Sequence, residues 1–178
     1  MQSDPSAATV RLVPQRIARA AFGTSGAVAS TVYGTVVVMA TISAAYAGEK
    51  DPWRLAVIVF SSVVVLWIAH LYAHGLSESL MLNRRLTGDD VRSIARRELG
   101  MVAAAVAPCT ALVLGAVDVM NEPHAVLLAL VLGLAVLAVQ GLRYARMERF
   151  GPLATVVAVL ANVALGLLVV LLKVTVEH

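Results

Sequence analysis

The sequence predicts an all-α integral membrane protein: a five-transmembrane-helix bundle with a short cytoplasmic amphipathic helix between spans 2 and 3. Three observations carry this. Hydrophobic residues make up 60% of the 178 and charged residues 14%, with a mean hydropathy of +0.84, whereas a water-soluble chain has about 25% charged residues. The apolar residues gather in five charge-poor runs, each near the roughly 20 residues that a helical span needs. Finally, the basic residues are sorted. Arg11, Arg16 and Arg19 precede the first run; Arg84, Arg85, Arg92, Arg96 and Arg97 lie between the second and third; Arg143, Arg146 and Arg149 lie between the fourth and fifth. Only Lys50, Arg54 and Lys173 fall at the alternate ends. Basic loops stay on the cytoplasmic side, so the N-terminus is expected inside and the C-terminus outside, in a multi-pass cell inner (cytoplasmic) membrane protein of bacterial type.

The elements follow in order. Residues 1–24 form an N-terminal cytoplasmic or interfacial segment, disordered to about residue 9. From Thr9 to Ala21, apolar side chains mix with three arginines, the pattern of a short helix in the inner interface or of a solvated basic lead-in. Residues 25–178 form a single membrane domain. Span 1, about 25–46, is rich in small residues four apart, such as Gly26, Ser30 and Gly34, which let helix backbones approach closely. Span 2, about 53–75, opens on Asp51 as cap and Pro52 in the first helical position, and continues past the membrane towards Leu86. The cytoplasmic helix, about 88–98, starts at Thr87 with Asp90 three residues on, a capping-box-like signal. Its apolar face is expected to be Val91, Ile94, Ala95 and Leu99, with Arg92, Arg96 and Arg97 turned to lipid headgroups. Span 3, about 99–120, carries Pro108, which removes a backbone bond and favours a kink. Spans 4 and 5 are expected at about 124–142 and 152–172.

Intramembrane polar groups are the first functional candidates, because each is costly in hydrocarbon unless paired. His70, His74 and Glu78 are spaced i, i+4, i+8 and share one helix face. Two imidazoles one turn apart, completed by a carboxylate, can hold a divalent metal, and the same pair can titrate near neutral pH. Counted from Trp53, His70 lies about 25 Å down span 2, near the cytoplasmic boundary. An interfacial band of Trp, Tyr and His anchoring the helix end accounts for the same residues. On span 1, Ser30, Thr31, Gly34, Thr35 and Thr41 can line a narrow pathway or pack a close helix contact, and Asn162 in span 5 has the same two uses.

Several classes are disfavoured. Cys109, the single cysteine, allows no intrachain disulfide and no cysteine-based metal site. The pI of about 9.4 is explained by orientation and anionic lipid, with no basic-aromatic pattern for nucleic acid. None of the eleven acidic residues falls near the middle of a span, where cation-coupled transporters usually keep one. No hydrolase, zincin or phosphate-loop motif is present, so an enzyme is not expected.

In layout the chain resembles the vacuolar iron transporter family, which has five spans, an inside N-terminus, an amphipathic N-terminal helix and a cytoplasmic helical insert between spans 2 and 3. Tyr33-Gly34 stands where that family carries Asp-Gly, and Ala69-His70-Leu71-Tyr72-Ala73-His74-Gly75 lies against its Ser-Met-x-x-Gly-Glu-Tyr-type stretch. The family aspartate is absent, and the insert is shorter than the family's glutamate-rich domain. The resemblance implies a dimer that exports ferrous iron or manganese in exchange for protons, with His70 and His74 replacing the family's Met and Glu as ligands. The expectation is a small cation transporter or channel-like protein, metal- or proton-coupled and homo-oligomeric, with a divalent metal as its one possible ligand. The alternative is an accessory or scaffold subunit that docks a protein partner.

Overall fold

The computed structural model describes residues 6–176. They form five helices: α1 (Ser6–Gly48), α2 (Pro52–Leu82), α3 (Gly88–Ala116), α4 (Glu122–Met147) and α5 (Pro152–Val176). All five are long and apolar enough to cross a membrane, α1 and α5 through Gly26–Gly48 and Pro152–Leu171. The chain runs up and down, so the α2–α3 and α4–α5 turns share one end with Gly26. That end, which also carries most of the arginines, is called the basic end below.

Two sequence expectations need correction. The short helix expected at 88–98, running into span 3, is not distinct from it: α3 continues unbroken from Gly88 through Pro108 to Ala116. Likewise α1 is one helix from Ser6, so its backbone is already helical where disorder was expected at residues 6–9. Residues 1–5 lie outside the described residues, as do the side chains that would place the N-terminal segment in an interface.

The helix ends have local chemical causes. Asp51 accepts the backbone N–H of Trp53 at 2.9 Å and Pro52 takes the first turn, as the sequence indicated. Asn83 stops α2 in the left-handed region at φ 47°, a conformation asparagine tolerates. At α3 the full capping box is present: the Thr87 hydroxyl accepts from Asp90 N–H, and the Asp90 carboxylate accepts from Thr87 N–H. Arg84 adds two hydrogen bonds to the same carboxylate, at 2.8 and 3.3 Å. The Arg84 guanidinium, and then Thr87, hold the Asp90 carboxyl below the usual carboxylate range. α3 and α4 end in matching six-residue turns, with Val119 N–H bonded to Leu114 and Phe150 N–H to Ala145, and with Asp118 and Arg149 at φ 57° and 54°.

α3 lies at the centre, packed on α1, α2 and α4, while α5 lies against α4 and α1. Val38, Ile42, Leu55, Val59, Val63, Met101 and Leu112 fill the core. Two seams are closed backbone to backbone. A Cβ on Gly34 would stand 2.7 Å from the Cα and the carbonyl oxygen of Met101, and one on Gly141 would stand 2.8 Å from the Cα of Val159. No residue with a side chain beyond hydrogen fits there. The outer surface is apolar instead of charged. Phe60, Val65, Ile68 and Leu80 on α2, and Leu153, Val157, Leu160 and Leu168 on α5, are exposed. Gly166 is the one buried residue of α5 among those described. Such a surface suits lipid contact.

Candidate functional site

The two histidines of α2 face the junction of α1 and α3 near the basic end. Their rings are 5.9 Å apart, centroid to centroid, in an edge-on arrangement. His70 Nδ1 lies 3.3 Å from the carbonyl oxygen of Leu66, which only accepts, so Nδ1 carries the proton and Nε2 is free. His74 Nδ1 lies 3.2 Å from Oε1 of Glu98. With Glu98 ionised, that nitrogen is the donor as well. Tyr33 of α1 completes the row, its ring 5.1 Å from that of His70.

Glu98 is the residue that the sequence reading missed. It is 8% exposed, the one buried charged residue among those described. The reason lies in the register of α3. Its buried stripe runs Ile94, Glu98, Met101, Ala105, Pro108 and Leu112, spacings of four and three that keep one face inward. The expected face is therefore rotated: Val91 and Leu99 are 40% and 47% exposed, while Ile94 is buried as predicted. The available signal was the stripe of span 3 itself, which leads to Glu98 when extended back past Met101.

Glu78, predicted to complete the histidine pair, bonds elsewhere. Its Oε2 accepts from Arg97 Nη2 at 3.2 Å across the α2–α3 gap. It borders the mouth of the site as half of an ion pair and is not the carboxylate that meets His74. Arg97, expected to face lipid headgroups, is held by the same contact. Arg92 and Arg96 are exposed as predicted.

The cleft around this row measures about 250 Å³ and is walled by Tyr33, His70, His74, Glu98, Ser30 and Met101. It opens at the basic end into a wider vestibule of about 540 Å³, bordered by Ser77, Glu78, Met81 and Arg97. In the other direction it stops. Gly34 against Met101 seals the α1–α3 seam, and Thr35, Val38 and Met39 beyond it are fully buried.

Three hydroxyls of α1 are bonded to helix carbonyls. Thr31 donates to Ala27 O and Thr35 to Thr31 O, each at 2.8 Å. Ser30 reaches across to the carbonyl oxygen of Arg97 at 3.3 Å. Together with Gly34 they form a packing face towards α3. Thr41 lies higher on the same helix, half-buried and away from the cleft. Asn162 donates to Ala158 O at 3.0 Å and belongs to the α4–α5 side, remote from the histidines.

Two imidazoles, each with Nδ1–H engaged and Nε2 free, form the arrangement that metal-binding histidines adopt, in which the outer hydrogen bond fixes the tautomer. Among the described residues no three His, Cys, Asp or Glu side chains form one ligand group. The protein would thus supply two nitrogen ligands, with Glu98 behind one of them. Comparison with protein-family models, curated proteins and solved structures finds no match to this chain.

Proposed function

We propose that this is a small polytopic membrane protein of transporter type that takes up a cation at the His70/His74/Glu98 cleft. The observation that carries the proposal is the buried Glu98 carboxylate bonded to His74, one helical turn from a second imidazole whose Nδ1 is also engaged. Both free Nε2 atoms are then available to a divalent cation, and the two-ligand set suits a cargo that must leave again. Metal binding requires neutral imidazoles, so cation entry and proton release are linked at this site. In this reading the basic end faces the cytoplasm and the vestibule is the cytoplasmic entrance. The protein works as a homo-oligomer, with the outer faces of its helices in a bacterial-type inner membrane.

The test is Zn²⁺ and Mn²⁺ uptake into liposomes, with equilibrium dialysis on the purified protein. The double variant His70→Ala/His74→Ala is expected to lose both bound metal and flux. Unchanged flux in that variant removes the cleft from the account.

A second reading is supported by the sealed seam above the cleft. With Ser30, Thr31 and Thr35 bonded to helix carbonyls and Gly34 closed on Met101, the cleft ends at this seam among the described residues, which suits a non-transporting accessory subunit whose cleft senses a cation or proton. Purification without tags separates the two. A stoichiometric protein partner with no metal-dependent flux supports the accessory role, and flux from the isolated protein excludes it.

A further inference from the structure

We infer that a groove between α2 and the start of α3 holds one anionic phospholipid, its phosphate on Arg85 and an acyl chain along α2. The groove measures about 480 Å³ and shares no lining residue with the histidine cleft or its vestibule. Its shape comes from the way the chain returns after α2. Leu86 folds back along the helix, so that a Cβ on Gly75 would stand 3.4 Å from Leu86 Cδ1. Ile68, Tyr72 and Leu76, all exposed, line the groove over about 12 Å of α2 at 1.5 Å per residue, and Val91 lines it from α3. Depth sets this groove apart from ordinary lipid-facing surface. A hydrocarbon core of about 30 Å, counted down α2 from Trp53, ends near Ala73. Ile68 and Tyr72 lie within it, whereas the exposed Leu76 and Val91 stand level with the headgroups, where apolar side chains need a cover that water does not give.

Charge selects the headgroup. Around the α2–α3 turn Arg84 is bonded to Asp90, Arg97 to Glu78 and Glu98 to His74. Arg85, Arg92 and Arg96 have no acidic partner among the described residues, against Asp89 as the one acid left over, so the turn keeps a positive surplus. Of these three arginines only Arg85 lines the groove, and its side chain is exposed to whatever enters. A planar guanidinium takes a phosphate through two parallel hydrogen bonds. A headgroup without a fixed ammonium leaves the phosphate charge uncompensated, and this surplus then favours it over a zwitterionic one. The inference does not depend on the cation proposal.

The full-length protein in phosphatidylcholine nanodiscs, doped with phosphatidylglycerol carrying a diazirine on one acyl chain, provides the test. The probe is expected to label peptides spanning 68–79 about five- to tenfold more than a diazirine phosphatidylcholine in the same proportion. Unlabelled phosphatidylglycerol is expected to displace it. Arg85→Gln should lower the phosphatidylglycerol label to the phosphatidylcholine level, while Arg96→Gln retains most of it. Equal labelling by the two lipids overturns the inference, since the groove then holds ordinary surrounding lipid. Equal losses in the two variants overturn it too, because the attraction is then diffuse charge with no site at Arg85. Displacement by millimolar inorganic phosphate overturns the lipid as occupant in favour of a free anion. Peptides 68–79 shielded from both probes and recovered in chemically cross-linked dimers overturn it in favour of a second copy. If Arg85→Gln does not fold, the comparison of the two lipids on the unaltered chain still decides.

Discussion

Replacing Gly34 by alanine probes the seam on which the candidate site rests. The added Cβ would meet Met101 Cα and carbonyl oxygen at 2.7 Å, which is 0.7 Å short of the 3.4 Å where ordinary contact begins. The obstacle is backbone, so no rotamer change relieves it and α1 must move away from α3. Overpacking of this kind costs about 1–3 kcal/mol, with the upper end apt for an obstacle that cannot rotate aside. Alanine returns about 1 kcal/mol through its better helix propensity, leaving a net loss of about 2 kcal/mol. Gly26 on the same helix is the control. A Cβ there meets nothing within 4 Å, so Gly26→Ala is expected to be neutral or stabilising. Equilibrium unfolding in mixed micelles measures both. Tyr33 is next in sequence to Gly34 and contacts His70, so Gly34→Ala should also disturb metal binding. A Gly34→Ala protein as stable as the parent, or equal losses in both variants, would refute the close backbone contact.

Other expectations follow from single contacts. Thr87→Ala removes half of the capping box and should cost about 1 kcal/mol, seen as faster hydrogen exchange in the first turn of α3. Because the Asp90 carboxyl is held below its usual range by Arg84 and then Thr87, its contribution is complete above the unfolded carboxylate pKa, about pH 4. It is lost as pH falls through the lowered folded value; Arg84→Met should move that loss to higher pH, which exchange measured across an acid series will show. Within the proposed site, Glu98→Gln should weaken metal binding about 10- to 100-fold through the lost partner of His74, whereas Glu78→Gln should leave it unchanged; dialysis with Zn²⁺ distinguishes them. Arg149 has φ 54° at the end of α4, so Arg149→Gly should stabilise the protein by about 1 kcal/mol in the same unfolding assay.

Much of the architecture was legible because membrane helices obey few rules. Asp51-Pro52 and Thr87/Asp90 started helices as their side-chain chemistry demanded, and the apolar runs became five helices. The site was less legible, and α3 shows why. Read alone, the stretch from Gly88 to Glu98 offers an apolar arc of Val91, Ile94, Ala95 and Leu99. Joined rigidly to the span, it takes the rotation that Met101, Ala105, Pro108 and Leu112 impose, which turns Leu99 outward and Glu98 inward. The partner of Glu78 was hidden for a related reason. Glu78 shares a face with His74, but Arg97 on the neighbouring helix, a tertiary contact that spacing on α2 cannot reveal, draws it away.

The sealed α1–α3 seam also determines what transport would require. A cation in the cleft can advance only if Gly34 and Met101 part, so a transporting protein must open this contact, whereas an accessory subunit need not. Gly100 offers a way to lock it: a Cβ there would stand 2.9 Å from Ser30 Oγ on the facing helix, within the short span that a disulfide bridges, and 2.5 Å from Thr31 Oγ1, an obstacle that Thr31→Ala removes. In a Cys109→Ser/Thr31→Ala background, Ser30→Cys/Gly100→Cys oxidised to the disulfide should retain bound Zn²⁺, because the ligands His70 and His74 lie on α2. It should carry no flux until reductant is added. Persisting flux in the fully cross-linked protein would mean that cations do not pass between α1 and α3, and the cleft would then be a sensor without a route behind it.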